Sequence, residues 1–175
     1  MRLFAPVIVA LALSGAASAQ PAGTVSLRPE QAAMVGLDGA GRASRVSEAG
    51  RADWAPYDVA AARHLTGQAV PDAPVPEATP LPREITAPAV PRGTLRVKFM
   101  SIAGRHSLLV IENGYDRAVA YRARMIVSGQ TRPTDVCLVI PNQRGYEHWP
   151  HPIERIELYD FRFADWRPGE PQPCR

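Results

Sequence analysis

The sequence predicts an all-β protein: a small antiparallel β-sandwich over residues 93–175, preceded by a signal peptide over 1–19 and a flexible, largely disordered Ala/Gly/Pro-rich arm over 20–92 that contributes little to the fold. Three observations carry this. Residues 93–175 hold nearly all the strand-like alternation of apolar and polar side chains. Residues 20–92 are rich in Ala, Gly and Pro and poor in large apolar side chains. The first nineteen residues follow the pattern of an export signal.

Arg2 gives a positive start, Leu3 to Leu13 is apolar apart from one proline, and Ala17-Ser18-Ala19 is a small-x-small cleavage site. This is the order of a secretory signal peptide cleaved after Ala19. The apolar run is shorter than the roughly 20 residues needed to span a bilayer, so no stable transmembrane segment is expected after cleavage. The expected location is the periplasm or the exterior.

Within the arm, two stretches can form short helices, near 29–35 and 56–65. In the first, Pro29 suits a first helical turn, Glu30 its positive end and Gly36 its stop. In the second, Pro56 and Asp58 mark a start, and Arg63, His64 and Gly67 an end. Both are short enough to need a docking surface. Seven prolines between Pro71 and Pro91 then predict an extended, semi-stiff tether.

The strands follow in order. "TLRVKF" sends Leu95, Val97 and Phe99 to one face and Arg96 and Lys98 to the other, a period of two. "SLLVIE" is apolar on both faces and fits a doubly buried central strand. Asn113-Gly114 predicts a hairpin turn into "AVAYRARMIV", which sends Val119, Tyr121, Ala123 and Met125 inward and Arg122 and Arg124 outward. "DVCLVI" is a further strand. In "IERIELYDFRF", Ile156 and Leu158 share one face, and Tyr159, Phe161 and Phe163 the other; Asp160 and Arg162 form a same-face ion pair. The stretch "LLVIENGYDRAVAYRARM" resembles the paired second and third strands of immunoglobulin-like domains of exported bacterial proteins. The resemblance covers 93–165 and implies a fold and no activity.

Charge is nearly balanced, 20 Lys+Arg against 17 Asp+Glu, and the arginines are scattered along the sequence, so no nucleic-acid partner is expected. Cys137 and Cys174 are the two cysteines; in an exported chain they predict one disulfide.

Chemistry concentrates in "GYEHWPHP". His148 and His151, three apart with Glu147 beside them, are the residue types of a metal site, although Pro150 and Pro152 argue against a helix that would align them. Tyr146 and Trp149 can stack on sugar rings or fill a partner's pocket, or can close the end of the core. No nucleophile elbow or glycine-rich phosphate loop is present in the sequence. No catalytic residue and no cofactor is assigned. The expected function is that of a non-catalytic interaction module of the bacterial envelope, contacting an envelope protein. The alternatives are a carbohydrate-binding module that touches cell-wall glycan through Tyr146 and Trp149, and a small metal-dependent enzyme built on His148, His151 and Glu147.

Overall fold

The structure, a computed structural model, describes residues 23–70 and 90–174. The predicted signal peptide and most of the proline-rich tether lie outside the described residues. The order is β1 (Val25–Leu27), β2 (Gln31–Leu37), β3 (Ala43–Val46), β4 (Gly50–Arg51), α1 (Pro56–Thr66), β5 (Leu95–Ile102), β6 (His106–Asn113), β7 (Ala118–Val127), β8 (Gln130–Thr134), β9 (Arg144–Trp149) and β10 (Arg155–Ala164). Two antiparallel sheets pack face to face as a sandwich. One runs β1-β10-β7-β8; the other runs β3-β2-β5-β6-β9, with β4 also pairing β2. Among the described residues, no helix is long and apolar enough to cross a membrane.

The core between the sheets comes from alternation. Leu95, Val97 and Phe99 of β5, Leu109 and Ile111 of β6, and Val119, Tyr121 and Ala123 of β7 are all buried in one cluster. The other face of β6 is buried too: Leu108 and Val110 lie with Met100 and Ile102 against Ala62 of α1. The doubly apolar "SLLVIE" is therefore a central strand with cover on both sides, as its sequence predicts.

The arm is not the flexible, largely disordered leader its composition suggests: its described residues supply β1–β4 and α1 and form part of the sandwich. Residues 29–35, expected as a helix, enter β2, which pairs with β5 from Gln31↔Phe99 to Val35↔Leu95. A short helix has little stability of its own, whereas the open edge of β5 offers backbone partners along the strand. Ala33 and Val35 alternate into the core, and Glu30 takes a positive φ of 64° at the entry to the strand. β1 completes the other sheet by pairing with β10.

The second helix forms where expected. Pro56 opens α1, Asp58 Oδ2 accepts a hydrogen bond from the Ala55 N–H at 3.1 Å, and Gly67 closes it at φ 63°. Val59, Ala60, Ala61 and Ala62 are buried, and Ala62 packs on the six-stranded sheet. The span 71–89 joins two anchored points, since Val70 packs on the cluster beneath α1 and the Gly93 N–H donates to Gly114 O at 3.0 Å.

Asn113-Gly114 is not a hairpin turn. β6 pairs with β5 and β9, β7 with β10 and β8, and the chain crosses between the sheets here. Buried Asn113 holds the corner: its Nδ2 donates to the carbonyls of Arg117, Val139 and Ile140, and its Oδ1 accepts from the Tyr115 N–H. Gly114 is required by close approach, since a Cβ there would lie 2.7 Å from Pro91 O.

Three further expectations change. "DVCLVI" forms only single bridges, Val119↔Val139 and Cys137↔Cys174. "RGYEHW", read as a loop, is the edge strand β9, and its prolines begin just after it. In β10 a register shift between Tyr159 and Arg162, with Asp160 at φ 52°, brings Phe161 into the core beside Ile156 and Leu158. Asp160 then lies 3.9 Å from Arg122 rather than pairing with Arg162. Cys137 and Cys174 are disulfide-bonded, as predicted.

Candidate functional site

β9 alternates between two environments. Trp149 points into the sandwich, is 8 % exposed, and donates from Nε1 to Thr134 Oγ1 at 2.8 Å. Tyr146, an odd number of residues away, points to the opposite face. There its ring lies 5.9 Å from that of Tyr57, and its hydroxyl donates to Asp58 Oδ1 at 3.0 Å. The two rings cannot form one platform. Trp149 closes the core, and Tyr146 belongs to the layer beneath α1.

The proposed metal ligands are likewise separated. Glu147 Oε1 accepts from the Cys137 N–H at 2.5 Å; burial pushes its carboxyl up, and that hydrogen bond partly offsets the shift. His148 lies on the opposite face of β9. Its Nε2 is 3.0 Å from His106 Nδ1, and the two rings stack at 5.2 Å. Partial burial, then the neighbouring His106, holds the His148 imidazole below the ordinary histidine value. The contact made by His151 is through its main chain, whose carbonyl accepts from Ser107 Oγ at 3.2 Å. Among the described residues no three His, Cys, Asp or Glu side chains gather into a metal-binding group.

A charge centre beneath α1 was not found by sequence reasoning. Lys98 of β5 is 1 % exposed, Asp58 of α1 0 % and Glu112 of β6 1 %. Lys98 Nζ donates to Asp58 Oδ2 at 2.5 Å and to Glu112 Oε1 at 3.1 Å. Arg144 Nε donates to the same Glu112 oxygen at 3.0 Å and lies 4.0 Å from Asp58 Oδ1. Arg96 approaches Glu112 Oε2 at 3.3 Å from the edge, and Lys98 also lies 5.6 Å from the centre of the Trp54 ring. The local sequence explains each placement. Lys98 is on the outward face of β5, as alternation predicts, but α1 covers that face. Asp58 is the third residue of the helix, turned towards its own N-terminus and the sheet. One signal was available: Lys98 is the single lysine in a chain otherwise served by arginine.

The outer face of the four-stranded sheet differs, because among the described elements no helix covers it. Register places Tyr159 opposite Arg122, Glu157 opposite Arg124, and Arg162 opposite Ala120, all on this face. Arg122 is 64 % exposed, Arg162 is exposed, and Arg155 and Tyr159 are partly so. Arg124 Nε donates to Glu157 Oε2 at 2.5 Å, and its guanidinium lies 5.6 Å from the Tyr159 ring centre. Beside this face is a hollow of about 490 Å³, with Arg122 and Arg162 on its lining together with Val136, Leu138, Phe163 and Pro173. Four arginines distant in sequence, Arg122, Arg124, Arg155 and Arg162, are brought together here by β7 and β10.

Comparison with protein-family models, with curated proteins and with solved structures finds no match.

Proposed function

We propose that this is an exported, non-catalytic interaction module of the bacterial cell envelope that docks an acidic protein partner on the outer face of its four-stranded sheet. The observation that carries the reading is that face: Arg122, Arg124, Arg155 and Arg162 around Tyr159, beside a hollow with apolar walls. Arginine and tyrosine are the side chains that most often anchor protein interfaces, and exposed arginines steer an acidic partner and set its orientation. Glu157 and Asp160 interrupt the positive charge, which suits a shaped protein surface better than a phosphate backbone. Export is supported by the N-terminal pattern and by the disulfide.

The test is site-specific photo-crosslinking in intact cells. A crosslinker at Tyr159 is expected to capture one envelope protein, which then binds the purified chain with a salt-sensitive affinity. Arg122→Glu with Arg162→Glu is expected to weaken that binding by about 10-fold or more, with an unchanged melting temperature. Capture that is indifferent to the charge reversal, or retention on isolated cell-wall glycan in the absence of any protein, overturns the reading.

A further inference from the structure

The centre beneath α1 contains more than an ion pair needs. Lys98 Nζ touches the Asp58 carboxyl at 2.5 Å, and a second carboxylate, Glu112, touches the same nitrogen at 3.1 Å. The other Asp58 oxygen, Oδ1, accepts from the Tyr146 hydroxyl at 3.0 Å and faces Arg144 Nε at 4.0 Å. All three reacting side chains are sealed from solvent. An amine against a carboxyl, a base on that amine, and a hydroxyl donor with a nearby cation at the oxygen that gains negative charge are the parts of an acyl-transfer site. Reactants held in contact in a closed site need no encounter, which is worth a large part of the barrier of an otherwise slow condensation.

We propose that Lys98 and Asp58 join through an isopeptide bond, with Glu112 carrying the proton. The ammonium of Lys98 passes one proton to Asp58 Oδ2, leaving a neutral amine beside a carboxylic acid. The nitrogen lone pair attacks Asp58 Cγ, and the C=Oδ1 π electrons move onto Oδ1, where Tyr146 and Arg144 meet the charge. Glu112 takes a second proton from the nitrogen. As the C=Oδ1 double bond re-forms, the Cγ–Oδ2 bond breaks, and the departing hydroxyl takes the proton back from Glu112 and leaves as water. An ammonium and a carboxylate become one amide and one water, with no oxidant or reductant involved. The product joins α1 to β5 covalently beneath a layer closed to solvent. This site is on the opposite side of the molecule from the arginine face, and the two proposals stand independently.

The full-length exported protein, with its disulfide reduced, tests the bond by intact mass. The expected mass is lower by one water than that calculated for the chain from its observed N-terminus. Tryptic digestion is expected to yield Ala52–Arg63 joined to Val97–Arg105, with cleavage after Lys98 lost and no amine-reactive label on Lys98 after denaturation. An unshifted mass, with Lys98 cleaved and labelled, overturns the proposal. Glu112→Gln, shown to fold by circular dichroism, is expected to form the linked peptide about 100-fold more slowly. Linkage at the wild-type rate in that variant overturns the role given to Glu112.

Discussion

Removing the Trp149 indole separates its two possible roles by stability alone. The ring is buried in the sandwich core and its N–H is satisfied by Thr134. Trp149→Ala is therefore expected to cost about 3–5 kcal/mol, the range for deleting a large buried aromatic, as measured by chemical denaturation. An unchanged midpoint would contradict the burial. His148 gives a second prediction at this level. Its folded-state pKa is depressed, so the unfolded chain binds the proton more readily. The stability it contributes is fully present above the ordinary value of 6.5 and is lost as pH falls from there through the folded-state value. His148→Gln is expected to flatten the fall in melting temperature over that acidic window while leaving the neutral-pH value nearly unchanged. Of the side chains singled out in the sequence, the cysteine pair was legible because only one pairing existed. The Glu147, His148 and His151 set was not, because strand alternation sends adjacent side chains to opposite faces, and the strand itself was hidden by the prolines that follow it.

Strand alternation made β5, β6, β7 and β10 legible, since each presents a run of large apolar side chains with period two. β2 escaped because Ala32, Ala33 and Gly36 carry little periodic signal and Pro29-Glu30 imitates a helix start. Its strand conformation is imposed by β5, a long-range partner that local propensity does not register. The β6–β7 crossing was mistaken for a hairpin for a related reason. Asn-Gly favours a tight turn in isolation, but here Asn113 uses its side chain to hold three carbonyls at a corner. A prediction follows for the elements. A fragment of residues 93–175 leaves β5 without β2 and β10 without β1. It is expected to show no cooperative thermal transition, whereas a chain starting near Ala22 unfolds in one step. Cooperative melting of the shorter fragment, followed by circular dichroism, would show that the early strands are dispensable.

At the level of the whole molecule, the two outer faces are unlike. One is roofed by α1 and encloses Lys98, Asp58 and Glu112; the other presents arginines and a tyrosine to solvent. No run of sequence announces this division, because it arises when helix and strands remote in sequence come together. Burying charges costs several kcal/mol per ion, which a close partner offsets. The roofed face therefore depends on its own internal pairing, whereas the charged side chains of the other face, Arg122 and Arg162 among them, lie at the surface.

The pairing of β1 with β10 also governs when the protein can fold. Val25 to Leu27 find their partners at Ile156 to Leu158, and β2 awaits β5 across α1 and the proline-rich span. During synthesis β1 has no partner until β10, the last strand, has been made, whereas β2 can pair with β3 and β4 before β5 arrives. Such non-local topologies acquire their structure late and slowly, on the order of milliseconds to seconds once the chain is complete. The four-stranded sheet of this design is therefore completed only at the end of synthesis, when the partner of β1 exists.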